Sequence, residues 1–423
     1  MFELVGCPEN GRGTAMNKRK IINDPVYGFI TIANDLVFDL IQHPYFQRLR
    51  NIQQLGLSSM VYPGALHTRF QHSLGALHLM RQALDNLKYK GVEITDAEDE
   101  AAQVAILLHD IGHGPFSHLL EKTFIPSMTH EEFTTLFMEQ MNRQYEGKLD
   151  LAIRIFTDNY PKRFLHQLVS GQLDVDRLDY LTRDSFFSGV AEGVIGTERI
   201  IKMLNVADNQ LVADVKALYS IEKFIISRRL MYWQVYLHKT VHVAEVMLVL
   251  CLQRAKTLWK RSPGFFLPRS MQLFFERDYT MDDFRRDPAL LAGYADLDDR
   301  DIWYAIKQWR NSQDRVLSDL SGRLCDRNLF RIELSETPFP KELVDRKRSA
   351  IRQQLLFSEE ESDYMLSSGK MENRAYNKQV ESIFILEKDG RVRPLEELSD
   401  HLNHKMLSES VSKYFIAYPK ELL

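Results

Sequence analysis

The sequence predicts a mainly α-helical body, a helical bundle, with a small C-terminal α+β subdomain. Three observations carry this. Apolar residues recur at helical spacing over most of the chain before Arg327. After Arg327, β-branched and aromatic runs bounded by turn residues take over. Seven of the thirteen histidines lie between His67 and His130, so the helical body is where a site is expected. The division that follows is a flexible arm over 1–19, a helical domain over 20–326 and the α+β subdomain over 327–423.

Taken in order, 21–32 reads as a turn and short hairpin around Asn23-Asp24-Pro25 and Gly28. Leu40, Ile41, Phe46, Leu49, Ile52 and Leu55 keep helical spacing, and Pro44 separates two helices there. Pro63-Gly64 marks a loop. The helix over 69–87 turns Leu74, Leu77, Met80, Leu84 and Leu87 inward. A helix over 98–108 delivers His109 and Asp110, and helical pattern returns over 131–141, 162–168 and 174–184. A two-stranded element is expected around Asn209-Gln210. One long helix follows from 217 to about 260, carrying Tyr219, Tyr232, Trp233 and Tyr236, and Gly264 to Pro268 breaks it. In the last part, 330–334, 380–387 and 414–418 read as strands, 341–355 as a helix, and Lys388-Asp389-Gly390-Arg391 as a hairpin turn.

Composition narrows the class. A chain of 423 residues with 44% hydrophobic and 26% charged content is soluble and globular in type. A net charge of −4 gives no global attraction to polyanions, so nucleic acid is an unfavoured though not excluded partner. Cys7, Cys251 and Cys325 show neither metal spacing nor a disulfide framework, which fits a reducing compartment. With no apolar leader and no run long enough for a bilayer, a cytoplasmic location without membrane contact is expected. Met16, before Asn-Lys-Arg-Lys, is a plausible start, and 1–15 then reads as an extension or a disordered arm.

Three separated segments offer metal ligands: His72, the His109-Asp110 pair and Asp176. Two imidazoles with carboxylates suit a divalent ion such as Fe, Mn, Zn or Ni, and leave positions for water and phosphate oxygens. His109 and His113 share a face if the helix persists through Gly112. Asp176, Asp179 and Tyr180 share another. A His-Asp pair also occurs often without any metal, so a purely structural role stays open on spacing alone.

The motifs Phe46-Gln-Arg-Leu-Arg50, Gln53-Gln-Leu-Gly56, Arg69-Phe-Gln-His-Ser-Leu-Gly75, His109-Asp-Ile-Gly-His-Gly-Pro-Phe-Ser-His118, Thr129-His-Glu131, Asp174-Val-Asp-Arg-Leu-Asp-Tyr180 and Arg183-Asp184 follow one another in order. Together they resemble the HD-domain deoxynucleoside triphosphate triphosphohydrolases (dNTPases), in the branch whose vertebrate member adds a SAM domain; the resemblance here is to the HD part, without the SAM domain. It runs from about Lys20 into the C-terminal subdomain.

The resemblance implies metal-dependent release of inorganic triphosphate from a dNTP, with water attacking the α-phosphorus. His72, His109, Asp110 and Asp176 would hold the metal, and Mg would accompany the nucleotide phosphates. His118 would be the general acid, oriented by Glu121, with His113 and His130 contacting phosphates or tuning the proton transfer. Arg69, Arg177 and Arg228 would meet phosphates, Arg177 standing where the branch often has Lys. Gln54, Tyr180, Asp184 and Tyr236 would line the sugar and base pocket. Read without the family, the two tyrosines are core aromatics. The resemblance further implies a homo-oligomer, dimer or tetramer, with nucleotide effectors at Lys20, Asn23, Gln47, Arg50, Arg199, Arg327 and Arg331. Gln42 replaces the acidic residue that reads guanine, which argues against a guanine-specific effector.

The alternatives are another HD-type nucleotide phosphohydrolase, a single-strand nuclease or phosphodiesterase, or a catalytically silent nucleotide-binding scaffold. The chain lacks the Gly-Tyr-Pro signature of cyclic-dinucleotide phosphodiesterases. It has Gly112-His113 where alarmone hydrolases carry an acidic pair.

Overall fold

A Thr95–Glu98 capping box starts the helix Asp96–Leu108: Glu98 N donates to Thr95 Oγ1, and Thr95 N donates to the Glu98 carboxylate. That helix is the centre of the body. In the computed structural model, which describes residues 19–116, 119, 125, 128–261, 264–373, 382–399 and 411–422, Ala101, Ala102 and the whole run Val104–Leu108 are buried. A helix apolar on every side needs neighbours on every side.

Those neighbours follow from the sequence pattern. β1 (Lys20–Asp24) and β2 (Gly28–Ile32) form an antiparallel hairpin. α1 (Asp35–Gln42) precedes a one-turn helix at Pro44–Gln47. α2 (Arg69–Tyr89) buries Leu74, Leu77, Met80, Leu84 and Leu87, the inner face its spacing predicts. It packs against the central helix α3 (Asp96–Leu108) and against α5 (Val175–Ser188), while α4 (His130–Gln144) packs against the short helix Asp150–Phe156. α5 stops at Gly189, whose φ of 73° is the left-handed conformation that ends a helix at low cost.

β3 (Leu204–Ala207) and β4 (Gln210–Asp214) make the expected hairpin. Asp208 and Asn209 both take positive φ, 49° and 63°, as a two-residue turn matched to strand twist requires.

The long helix expected from 217 to 260 is instead two helices bent by 54°. α6 (Leu218–Met231) gives way to a π turn at Tyr232–Tyr236, and α7 (Lys239–Arg261) resumes after His238. No proline or glycine marks the break. Its causes are tertiary and local: Tyr62 donates its hydroxyl to the Gln234 carbonyl, and His238 Nδ1 accepts from Thr240 N to start α7.

After α8 (Asp299–Trp309) and α9 (Arg315–Cys325), the C-terminal strands join two sheets. β5 (Arg331–Ser335), β6 (Ser367–Asn373) and β9 (Val411–Tyr418) form an antiparallel sheet with β9 in the middle. β7 (Phe384–Leu386) pairs in parallel with β4, opposite Val212 to Asp214, and β8 (Val392–Pro394) flanks it. The C-terminal part is thus stitched to the helical body through strand pairing. Among the described residues, no single helix is long and apolar enough to cross a membrane.

Candidate metal centre and its cavity

Three helices meet at one point. His72 lies in the first turn of α2, His109 caps the end of α3, and Asp176 sits in the first turn of α5. Their ligating atoms lie within 4.8 Å of one another. His72 Nε2 is 3.2 Å from His109 Nε2 and 3.1 Å from Asp176 Oδ1. His109 Nε2 is 3.5 Å from the same oxygen. Asp110 closes the set, its oxygens 3.7 Å from His72 Nε2 and 3.4 Å from His109 Nε2.

The imidazoles are held for this purpose. His72 Nδ1 donates to Asp179 Oδ2 at 2.7 Å, and His109 Nδ1 donates to the Ile106 carbonyl at 2.6 Å. These acceptors assign the proton to Nδ1 and leave each Nε2 lone pair aimed at the common point. Two Nε2 atoms facing at 3.2 Å call for a proton or a cation between them. Burial opposes charging His72, but its hydrogen bonds to Asp176 and Asp179 and the Asp110 charge prevail and push its pKa up to about 10. The pocket therefore stabilises positive charge, and a two-imidazole, two-carboxylate donor set fits a borderline divalent metal.

The loop after α3 is fixed from behind. Arg48 donates to the Ile111 and His113 carbonyls, both at 2.9 Å, with Phe137 and Tyr294 stacked near its guanidinium. Thr134 Oγ1 donates to His109 O and accepts from Gly112 N. A Cβ on Gly112 would lie 2.1 Å from the His130 carbonyl, so only glycine lets the loop approach α4 this closely. The helix does not persist through Gly112, so His109 and His113 do not share a helical face. The turn nonetheless brings His113 Nε2 to 3.3 Å from Asp110 Oδ1, and stacks the ring on His130 at 3.9 Å.

Arg69 places Nη1 2.5 Å from Asp110 Oδ2. Burial works against the Asp110 charge, but Arg69, His109 and His113 hold its carboxyl well below the usual range. Burial, then the Arg69 charge, keeps His113 well below an ordinary histidine and hence neutral.

The centre opens into a cavity of about 860 Å³. Its lining includes Arg69, Asp110, His113, His130 and Asp176 together with Gln54, Tyr180, Asp184, Tyr232 and Tyr236. Tyr236 donates to Asp184 Oδ2 at 2.8 Å, and His67 Nε2 meets Asp184 Oδ1 at 2.7 Å. Tyr180 and Tyr236 pack edge to face, centroids 6.2 Å apart.

Two expected phosphate contacts are turned elsewhere. Arg177 pairs with Asp174, the N-cap of its own helix, and Arg228 donates to Gln172. Neither is part of the cavity lining. His118 and Glu121 lie outside the described residues. The expected effector residues are spread over the surface. Lys20 and Asn23 are on β1. Gln47 accepts from Arg50, which covers Phe70; Arg199 donates to Lys216 O, Arg327 to Met60 O, and Arg331 lies 3.7 Å from Glu333. Sequence reasoning missed Arg48, His67, Thr134 and the Asp24–Arg183 pair. Their partners are distant in sequence; Arg48 and Arg183 stood in motifs, but nothing in those motifs named their partners.

An HD domain matches residues 69–184, and an HD associated region matches residues 195–261. The crystal structure of a phosphohydrolase from Bacteroides thetaiotaomicron is 52% identical, with a TM-score of 0.92 over 95% of this chain and 99% of that one. The chain belongs to the HD-domain phosphohydrolases. It is 35% identical to YwfO of Bacillus subtilis over 75% of this chain and 72% of that protein. It is also 31% identical to human SAMHD1, named a deoxynucleoside triphosphate triphosphohydrolase, over 54% of this chain. That match spans 43% of the human protein, less than half its length. HD domains bind divalent metals, and this chain has a His72, His109 and Asp176 cluster with the geometry to hold one.

Proposed function

We propose that this HD-domain protein hydrolyses dNTPs to the deoxynucleoside and inorganic triphosphate. One observation carries the reading: a single cavity is lined by Asp110 and Asp176 beside the metal cluster, by Arg69, His113 and His130, and by Tyr180, Tyr232 and Tyr236. The arginine and histidines suit a triphosphate and the tyrosines a sugar and base. The match to SAMHD1 supports the same substrate class.

A bound divalent metal supplies a polarised water and offsets phosphate charge. The chain's own side chains do the rest. Arg69 offers a planar fork to phosphate oxygens from beside Asp110. Neutral His113, stacked on His130, presents a ring to the same oxygens without adding charge. As water bonds to the α-phosphorus, the bond from phosphorus to the 5′ oxygen breaks and that oxygen takes a proton, the role we assign to His118 with Glu121 orienting it. Gln54, Tyr180 and Tyr236 would receive the nucleoside. Asp184, braced by His67, holds Tyr236 where a 2′-hydroxyl would need room. Arg177 and Arg228 join the phosphate site only by exchanging Asp174 and Gln172 for phosphate.

The test is to incubate the full chain with each dNTP, alone and in pairs, in Mn²⁺, Fe²⁺, Zn²⁺ or Ni²⁺, and to identify the products. Triphosphate plus deoxynucleoside is expected, and faster turnover in pairs would support the effector residues. Pyrophosphate plus monophosphate would show that another bond is cut. No product from any dNTP would overturn the proposal.

A further inference from the structure

β1 carries one buried residue, and it is a carboxylate, Asp24. A hairpin that only needed anchoring would be served by an apolar side chain there, because burying a charge is costly unless it is paired. Asp24 is paired, and the pairing leads somewhere. Asp24 accepts from Arg183 Nη1 at 2.8 Å and from Nη2 at 3.3 Å. The same guanidinium donates Nε to Asp179 Oδ2 at 3.0 Å and Nη2 to Asp179 Oδ1 at 3.1 Å. Asp179 Oδ2 in turn accepts the Nδ1 proton of His72. Arg183, Asp179 and His72 are fully buried.

We propose that Asp24 is a positioning residue for the metal ligand His72, acting through Arg183 and Asp179. The inference rests on the metal reading of the His72, His109 and Asp176 cluster and asks what holds that cluster in place. Asp24 draws Arg183 toward the hairpin. Asp179 then keeps enough negative charge to fix the His72 Nδ1 proton and make Nε2 a better ligand. Asp24 also binds its own turn, Oδ1 accepting from Val26 N and Tyr27 N, so the hairpin's conformation and the carboxylate's direction are set together. The Tyr27 ring covers Arg183 at 5.6 Å and stacks on His78, sealing the chain of charges from solvent. Room for it comes from Gly75, where a Cβ would fall 2.0 Å from Asp179 Oδ1.

The experiment compares Mn²⁺ affinity of the metal-stripped full chain, by competition with a chelating dye, in wild type, Asp24→Asn, Asp179→Asn and Ile21→Ala. Ile21 lies exposed on the same strand. Asp24→Asn and Asp179→Asn are expected to weaken Mn²⁺ binding by about tenfold or more with helix content unchanged, and Ile21→Ala to leave it alone. Wild-type affinity in Asp24→Asn overturns the proposal while the metal reading stands. Absence of Mn²⁺ binding by the wild type overturns both. Should Asp24→Asn not fold, the wild type carries the test, since coupling is reciprocal. Mn²⁺ should then slow hydrogen exchange of the Ile30 and Ile32 amides, and unchanged exchange overturns the proposal.

Discussion

His72 and His109 face each other with their Nε2 atoms 3.2 Å apart, while each Nδ1 is committed to a fixed acceptor. A proton or a metal ion between those atoms relieves their repulsion, and a divalent ion adds attraction to Asp110 and Asp176, so metal binding should stabilise the fold. Treating the protein with EDTA should lower its thermal midpoint, and adding Mn²⁺ back should restore it. At a thousandfold excess over Kd the linkage is about 4 kcal/mol. The double variant His109→Ala with Asp110→Ala should stay folded, lose dNTP turnover and melt identically with and without EDTA. A wild-type midpoint indifferent to EDTA would count against a metal here.

Tyr236→Phe removes one hydroxyl, the donor to Asp184. Asp184 keeps His67, so the stability cost should be modest, about 0.5–1.5 kcal/mol. The ring loses its fixed position in the cavity. The kcat/KM ratio for a dNTP over the matching ribonucleotide should therefore drop. An unchanged ratio would make Tyr236 a packing residue only.

Two glycine substitutions form a matched pair. Gly75→Ala puts a Cβ 2.0 Å from Asp179 Oδ1 and 2.2 Å from Arg183 Nη2, both fully buried, so it should destabilise the chain by several kcal/mol, on the order of 3 or more. Gly322→Ala, inside α9, meets nothing within 4 Å and should stabilise by about 0.5–1 kcal/mol. Chemical denaturation of both variants reads out the difference.

Glu98 gives a pH signature. Burial opposes its charge, but hydrogen bonds from Lys162, Thr95 and Tyr160 outweigh this and pull its pKa down to about 2. A carboxyl depressed in the folded state contributes stability that is present above about pH 4.5 and is lost as pH falls toward 2. Glu98→Gln keeps the capping geometry but not the charge. It should cost about 1–3 kcal/mol at pH 7, with the gap to wild type closing between pH 4.5 and 2 in urea titrations.

Much of this was readable in sequence because it is local. The 3.6-residue pattern located α2 and α3, although α3 begins at Asp96 rather than the expected 98, and Asn209 and Gly390 marked turns. Motif order picks out His72, His109, Asp110 and Asp176 as candidate ligands without any fold, and the fold brings them together. What stayed hidden depends on contacts across long sequence separations. The break between α6 and α7 coincides with the Tyr62 hydrogen bond to the Gln234 carbonyl, and no proline or glycine within 232–238 announces it. Arg177 is the local exception: Asp174, three residues before it, takes up its guanidinium. Arg48 and His67 reveal their tasks only through carbonyls and a carboxylate far along the chain.

The parallel pairing of β4 with β7 has a consequence for synthesis. Val212 meets Phe384, so one edge of the central hairpin waits for its partner until most of the chain has emerged. Closing so long a loop is entropically slow, though little dearer at equilibrium than closing a shorter one. During that interval β4 presents unpaired backbone groups, the usual template for association between unfinished copies. A ribosome stalled before residue 384 would release a chain whose metal ligands are all made but whose hairpin edge is open. Such a product should be found in aggregates rather than as a smaller working enzyme.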